Sequence, residues 1–347
     1  MTAAVSIVVP VYQAERDLRR CLDSLVGQTL REVEIICVDD GSTDGSAAIL
    51  SDYAARDPRV RVLRQANAGQ SAARNAGLAA ATAEFVMFCD SDDWAEATWC
   101  AELYGAVAAC PEADMAVARA FIDGDCSKKS RRGLARNQRL RFSGVRPSGV
   151  WLFPRVDHSL WTKIFRRSML ERHALRFPPG EVCEDWSFSY ASLAASRSVV
   201  FLDRPLYHYV QRAGSTLNGG RNADRLALDF IRQWDHLRQF LVSTGKWSVW
   251  RVPMLEYGVR MFGIGGERLR HQTCELANGF LRTLPREDLE GLSPRLAADL
   301  AAVRAHDVHK VLCWRWSLGP ITLVKRIRDL AGDRLQVLFV RFYTRRY

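Results

Sequence analysis

Along the first 110 residues the chain alternates between two hydrophobic periods. Residues 5 to 11 (VSIVVPV) form an unbroken apolar run of strand length, after which Leu18, Cys21, Leu22, Leu25 and Val26 recur at helical spacing. The same succession repeats. EIICVDD (34–40) is a second strand ending in two aspartates. GSTDGS (41–46) then supplies turn glycines and cap residues for a helix that runs through about Ala55. VRVLRQ (60–65) predicts a third strand, SAARNAGLAAA (71–81) a third helix and EFVMFCD (84–90) a fourth strand. Apolar strands separated by helices imply right-handed βαβ units and a parallel sheet covered on both faces. The expected class is α/β.

The pattern then changes. Residues 111 to 160 are less regular, LWTKIFRRSMLERHAL (160–175) predicts a short strand and a helix, and CEDWSFSYASLAASRS (183–198) reads as helical. VVFLDRPLYHYVQR (199–212) predicts a further strand with a turn. Beyond Asn222 the periodicity is mostly helical, with ADRLALDFIRQWDHLRQFLV amphipathic and more helices expected after Pro253 and Pro294. Two regions follow: an α/β domain over 1–220 and a mainly helical extension over 221–347. The final DRLQVLFVRFYTRRY mixes apolar and basic residues, as an interfacial segment does and as a helix docked on a core also does.

Composition narrows the class more than the activity. With 347 residues, 48% hydrophobic and 25% charged, the chain has the makeup of a globular protein with a sizeable core, not of a disordered or collagen-like one. Its nine cysteines form no CxxC pair, and several fall within apolar patterns, where a free thiol acts as a small hydrophobe. That fits a reducing cytosol. Met1 to Ala4 leads directly into the first strand without a basic or cleavable leader, and no apolar run reaches the roughly 18 to 20 residues of a membrane span. A cytoplasmic protein is expected, soluble or peripheral on the inner face of the cell membrane.

The net charge of +10 is unevenly placed. Residues 127–146 hold eight Lys or Arg and no acid, and in 325–347 seven basic residues face two Asp. Such stretches suit phosphate-rich partners (anionic lipid, pyrophosphate or nucleic acid) or form a solvated surface.

Against this basic background the acids stand out. FVMFCDSDDW (85–94) delivers Asp90, Asp92 and Asp93 within four positions at the end of a buried strand, where carboxylates repel one another unless something positive lies among them. With Asp39 and Asp40 they all fall at carboxyl ends of strands, where ligands of open α/β sheets bind. Mg²⁺ or Mn²⁺ takes oxygen ligands, often one or two carboxylates completed by phosphates and water, and the D-x-D spacing offers that. Asp93 or Ser91 capping a helix that begins near Ala95 is the competing explanation.

VVPVY followed by Glu15, then VDDGSTDGS, NAGQSAARNAG, FCDSDDW, EDWSF and YHYVQRAGST, occur in an order and at spacings that resemble the family 2 glycosyltransferases of the GT-A fold, over about residues 5–217. The resemblance implies a nucleotide-binding half (1–110) and an acceptor half (111–220), and an inverting transfer from a nucleotide sugar, by default a UDP-sugar. It places Pro10, Tyr12 and Glu15 at the nucleotide pocket, Asp40 as acceptor of a bond from the base, and Arg74 near base or phosphates. It puts Asp90 and Asp92 beside the diphosphate, with Asp92 the firmer metal ligand and Asp90 closer to the ribose. Asp185 becomes the base that deprotonates the acceptor hydroxyl, with Glu184 the adjacent alternative. Gln211, Arg212 and Ser215 would contact the donor phosphates.

Each position also has a plainer reading. Tyr12 packs, Glu15, Glu184 and Asp185 complement a helix N-terminus, Asp40 is a turn residue, and Arg74 is a surface helix arginine. His208 is expected to pack or hydrogen-bond, and His306 with His309 to lie on the surface. Trp94, Trp161 and Trp186 are sugar-stacking faces or core. Gln13 stands where the family usually has Asn, and the customary Pro after DSDDW is missing.

The partners implied are a nucleotide-sugar donor and a glycan or lipid-linked acceptor, with peripheral membrane contact through the basic tail. Three rival functions are weaker. A nucleic-acid binder leaves five strand-end aspartates without a role, and their charge would repel a phosphate backbone. A dinucleotide-dependent oxidoreductase fails on VPVYQAE, which has no glycine. A degenerate transferase that only binds nucleotide sugar conflicts with the intact acids.

Overall fold

The computed structural model describes residues 2–124, 143–153, 155–211 and 223–261 with single positions 292, 294 and 297, and backbone only for 223–228 and 256–261. The chain divides into two compact units, Met1–Gly220 and Arg221–Tyr347.

The first unit begins with the expected alternation: β1 (Val5–Val11), α1 (Leu18–Val26), β2 (Val33–Asp39), α2 (Ser46–Arg56), β3 (Val60–Arg64), α3 (Gln70–Ala80) and β4 (Phe85–Phe88). Every residue of β1, β2 and β4 is buried, as strands covered on both faces require. Leu18, Cys21, Leu22 and Leu25 form the buried stripe of α1. α3 lies so close to β1 that a Cβ at Gly77 would meet Val8 Cγ1 at 2.3 Å. The four strands run parallel in the order β3-β2-β1-β4.

That order opens the crevice. The chain winds outward through β2 and β3, then returns to the other side of β1 as β4, so the strand order reverses between β1 and β4. The β1–β4 ladder stops at Val8↔Phe88, whereas β1–β2 continues to Val11↔Asp39. β4 therefore leaves the sheet just before Asp90.

Beyond β4 come β5 (Trp94–Ala95), α4 (Trp99–Ala108), β6 (Ala113–Gly124), β7 (Gly144–Pro147), β8 (Lys163–Arg166), α5 (Arg167–Arg172), α6 (Glu184–Ala195) and β9 (Ser198–Gln211). They extend the sheet as β4-β8-β6-β9-β5, with β7 also on β9, to nine strands among the described residues. β8 is antiparallel to β4 and β6, and β6 is parallel to β9. The architecture is a mixed α/β sheet with flanking helices.

Three local expectations change in this unit. No helix begins near Ala95: Trp94 and Ala95 pair with His208 and Tyr207, and the helix starts at Trp99. β6 is a 12-residue strand inside the stretch that reads as irregular, because ADMAVARAFIDG is rich in alanine and draws its strand character from its neighbours. β9 runs through Pro205 without a turn; that residue sits where the β6–β9 register shifts, a position that needs no ladder N–H.

In the second unit α7 (Ala223–Ser243) and α8 (Trp247–Met261) pack on each other, with Trp234 Nε1 donating to the Met254 carbonyl at 2.8 Å. α8 starts before Pro253 and carries it inside, where the sequence pattern had a helix following it. No described helix is long and apolar enough to cross a membrane. The six cysteines among the described residues are free thiols, four of them buried.

Candidate functional site

Two acidic strand ends face the crevice. At the end of β2, Asp40 is 2% exposed and its carboxylate accepts from Gln65 Nε2 (2.7 Å), Ala68 N (2.9 Å) and Gly69 N (2.8 Å). Gly69, at φ +89°, adopts the left-handed backbone that lets this loop turn into α3. Asp39 Oδ1 accepts from Ser42 N at 2.9 Å. The GSTDGS loop is then locked to the loop after β1. Gln13 Oε1 accepts from Thr43 N and Asp44 N, both at 3.1 Å, while its own N–H groups reach Ser42 Oγ and Thr43 Oγ1. Glu15 completes a reciprocal pair, its N–H on Asp44 Oδ2 (3.0 Å) and its Oε2 on Gly45 N (2.9 Å). Gln13 thus fits the loop in place of the family's usual Asn, holding φ at 50° to do so. Tyr12 stands 52% exposed, and Pro10 is buried in β1.

At the end of β4 the acids are divided. Asp93 is 1% exposed and turned into the protein, accepting from Tyr207 Oη at 3.0 Å and Val210 N at 2.7 Å. Burial, then the charges of Asp90 and Asp92, push its pKa well above the usual carboxylate range. Tyr207 also accepts from Asp90 N at 3.0 Å, and Arg20 of α1 donates to the Asp92 carbonyl at 2.8 Å. These contacts fix the loop backbone, leaving the side chains of Asp90 and Asp92 partly exposed.

Arg74 of α3, 4% exposed, is the positive centre. Its Nη2 donates to Asp90 Oδ1 at 2.7 Å and its Nη1 to Glu184 Oε1, an acid 110 residues further along the chain. The guanidinium lies 5.6 Å from the Phe177 ring centroid. Asn75 clamps Phe177 to α3 through two backbone bonds, from its Nδ2 to Phe177 O (2.8 Å) and from Phe177 N to its Oδ1 (2.9 Å). Burial works against the arginine's charge, but Asp90, Glu184 and Asp185 outweigh it and hold its pKa above the ordinary value. The Glu184 pKa is raised as well: burial pushes it up, partly offset by Arg74.

Glu184 and Asp185 open α6, directly after Cys183 at φ 59°, a left-handed conformation that costs a non-glycine residue about 1 kcal/mol or more. Glu184 turns inward to Arg74, and Asp185 keeps 26% of its side chain exposed. The loop before β8 faces it, with His158 Nε2 3.9 Å from Asp185 Oδ2.

Of the remaining candidates, His208, Trp161 and Trp186 are packed into the frame. Gln211, 8% exposed, ends β9, and its Oε1 has no hydrogen-bond partner among the described residues. His208 bonds Glu96 and Asp123, both at 2.8 Å, and stacks on Trp94 at 3.4 Å, in line with a packing and hydrogen-bonding role. Trp161, stacked on Tyr207 and Tyr209, and the fully buried Trp186 are core. Arg212, Ser215, His306, His309, the helices expected after Pro294, residues 325–347 and most of the basic stretch 127–146 lie outside the described residues. Sequence reasoning missed Arg20, His158 and Lys163, none of which carries a local pattern that separates it from its neighbours, and gave no role to Tyr207 within YHYVQRAGST.

The donor set suits a hard cation that shares its ligands with a substrate. Among the described residues no three His, Cys, Asp or Glu form a closed metal cage. Two partly exposed carboxylates, Asp90 and Asp92, lie on one loop, and Asp90 Oδ2 accepts no hydrogen bond among the described residues. An oxygen-rich, open site of this kind fits Mg²⁺ or Mn²⁺ completed by phosphate oxygens and water.

Residues 6–174 match the family model for glycosyl transferase family 2. The chain is 39% identical over 216 residues to a putative glycosyltransferase, EpsH, of Bacillus subtilis, covering 60% of this chain and 61% of that relative. It is 30% identical over 226 residues to the glycosyltransferase GlyG of Streptococcus pneumoniae, covering 62% and 74%. The crystal structure of S. aureus TarS 1-349 in complex with UDP-GlcNAc superposes with a TM-score of 0.65 at 21% identity, covering 91% of both chains. The fold is that of the GT-A enzymes. The chain belongs to glycosyltransferase family 2.

Proposed function

We propose that this protein transfers a sugar from a nucleoside diphosphate donor, with a UDP-sugar the first choice, to a hydroxyl of a glycan or lipid-linked acceptor in cell-surface polysaccharide synthesis. Arg74 carries the reading: one buried guanidinium joins Asp90, at the end of β4, to Glu184, at the start of α6, and so draws the two acidic segments to one crevice. The UDP-GlcNAc bound by TarS, on the same fold, supports UDP as the nucleotide.

In this reading Pro10, Tyr12, Glu15 and Asp40 line the nucleotide side, Arg74 stands near the base or phosphates, and Gln211 and Arg212 close on the phosphates. Asp92 and Asp90 would hold Mn²⁺ or Mg²⁺, which neutralises the charge gathering on the departing diphosphate. Asp185 takes the proton of the acceptor hydroxyl as its oxygen attacks the anomeric carbon from the face opposite the diphosphate. The new C–O bond forms as the bond to phosphate breaks, the electron pair leaves with the nucleotide, and the configuration inverts. Glu184, engaged by Arg74, positions the helix start. The basic stretches suit a lipid-linked or anionic acceptor at the inner membrane face.

The test is a screen of nucleotide sugars for metal-dependent release of the nucleoside diphosphate. We expect turnover with at least one UDP-sugar and Mn²⁺ or Mg²⁺, and a loss of about 10³-fold or more in Asp92→Ala and in Asp185→Asn. A wild-type chain that binds UDP yet turns over no donor would leave a binding protein in place of an enzyme.

A further inference from the structure

Lys163, at the start of β8, is fully buried. Its ammonium donates to the carbonyls of Asp157 and Ser159, the latter at 2.5 Å, and to Thr162 Oγ1 at 3.2 Å. Burial holds its pKa down to about 8, with the charges of Asp157 and Asp185 pulling the other way. The Asp157 carboxylate braces the same loop from inside, accepting from Ser159 N at 2.7 Å and Ser159 Oγ at 2.6 Å. A cation buried to satisfy two carbonyls is an expensive way to make a turn. The loop is over-determined, as the support of a functional side chain is.

The side chain it presents is His158. The ring remains 36% exposed, with Nδ1 3.9 Å from Asp157 Oδ1 and Nε2 3.9 Å from Asp185 Oδ2. Arg74, Glu184 and Lys163 also feel the charge of Asp185. Among the described residues no hydrogen bond fixes this partly exposed carboxylate, and a misplacement of about 1 Å at a reacting group costs about 10²-fold. The 3.9 Å gap exceeds hydrogen-bond length, but such contacts at active sites tighten when substrate binds, or are bridged by water.

We propose that His158 is the positioning residue for Asp185: its Nε2 engages Oδ2 and leaves Oδ1 aimed at the acceptor hydroxyl. This rests on the reading of Asp185 as the base.

The test uses the full chain and the UDP-sugar that the donor screen identifies, with turnover followed as UDP release. His158→Ala should lower kcat about tenfold at unchanged donor KM. His158→Gln, which still offers an N–H, should recover part of that loss. A purely packing role would not split kcat from KM in this way. A His158→Ala enzyme with wild-type kcat, while Asp185→Asn is inactive, overturns this inference and leaves the proposed function standing. Full activity in Asp185→Asn overturns both the base and its partner. An independent readout needs no turnover: the His158 ring Cε1 resonance should shift in Asp185→Asn, and an unmoved resonance overturns the pairing.

Discussion

The acidic ends of β2 and β4 look alike in sequence, a hydrophobic run that stops in aspartates, yet the protein treats them differently. Asp40 is closed off, its oxygens taken by one side-chain amide and two backbone N–H groups of its own chain. Asp90 and Asp92 stay partly open, and Arg74 is divided between Asp90 and an acid on another helix. The first set is compensated by local amides and shapes a loop. The second concentrates negative charge beside Asp93, whose pKa is raised first by burial and then by Asp90 and Asp92. Two strand ends of similar composition therefore differ in how far donors of their own chain satisfy the carboxylates.

Removing Arg74 should break the contrast most severely. Arg74→Ala leaves Asp90 and the buried Glu184 uncompensated, and breaking a buried pair costs about 3 to 5 kcal/mol, measurable by urea denaturation. Arg74→Lys should not rescue it, since an ammonium cannot reach both acids as a fork does. Asp40→Asn comes next: one amide must point its own N–H₂ at a backbone donor, for a loss of about 2 kcal/mol. An Asp40→Asn protein as stable as wild type would undo the scaffold assignment.

Asp93 sharpens the comparison through pH. Its folded pKa lies above the unfolded value near 3.9, so the folded state holds the proton more tightly. The stability it contributes is full below that unfolded value and is lost as pH rises through the folded one. Asp93→Asn should remove this fall, so that the variant gains on wild type in stability scans upward from about pH 4. The smallest effect belongs to Asp92→Ala, which should change stability by no more than about 0.5 kcal/mol while abolishing metal-dependent turnover. A large loss of stability there would make Asp92 a structural residue like Asp40.

The same contrast explains what was legible. β1 to β4 and α1 to α3 fall within a residue or two of their expected limits, because strands buried on both faces must be apolar throughout and helices must repeat near 3.6. β6 and the unbroken β9 were not legible. Alanine runs and a proline say little by themselves, and these segments become strands by pairing with each other. The site shows the same division, with the aspartates visible in the motifs and their pairing with Tyr207, Arg20 and His158 visible only in space.

What the sequence by itself determined is the order of β1 to β4 and α1 to α3, the acids at the strand ends and the family resemblance, all of which depend on residue types and their spacing along the chain. Which carboxylate is saturated, which is buried and which remains open was decided by tertiary structure. Charge compensation acts through distance in space, and the arginine that joins Asp90 to Glu184 acts across 110 residues of chain.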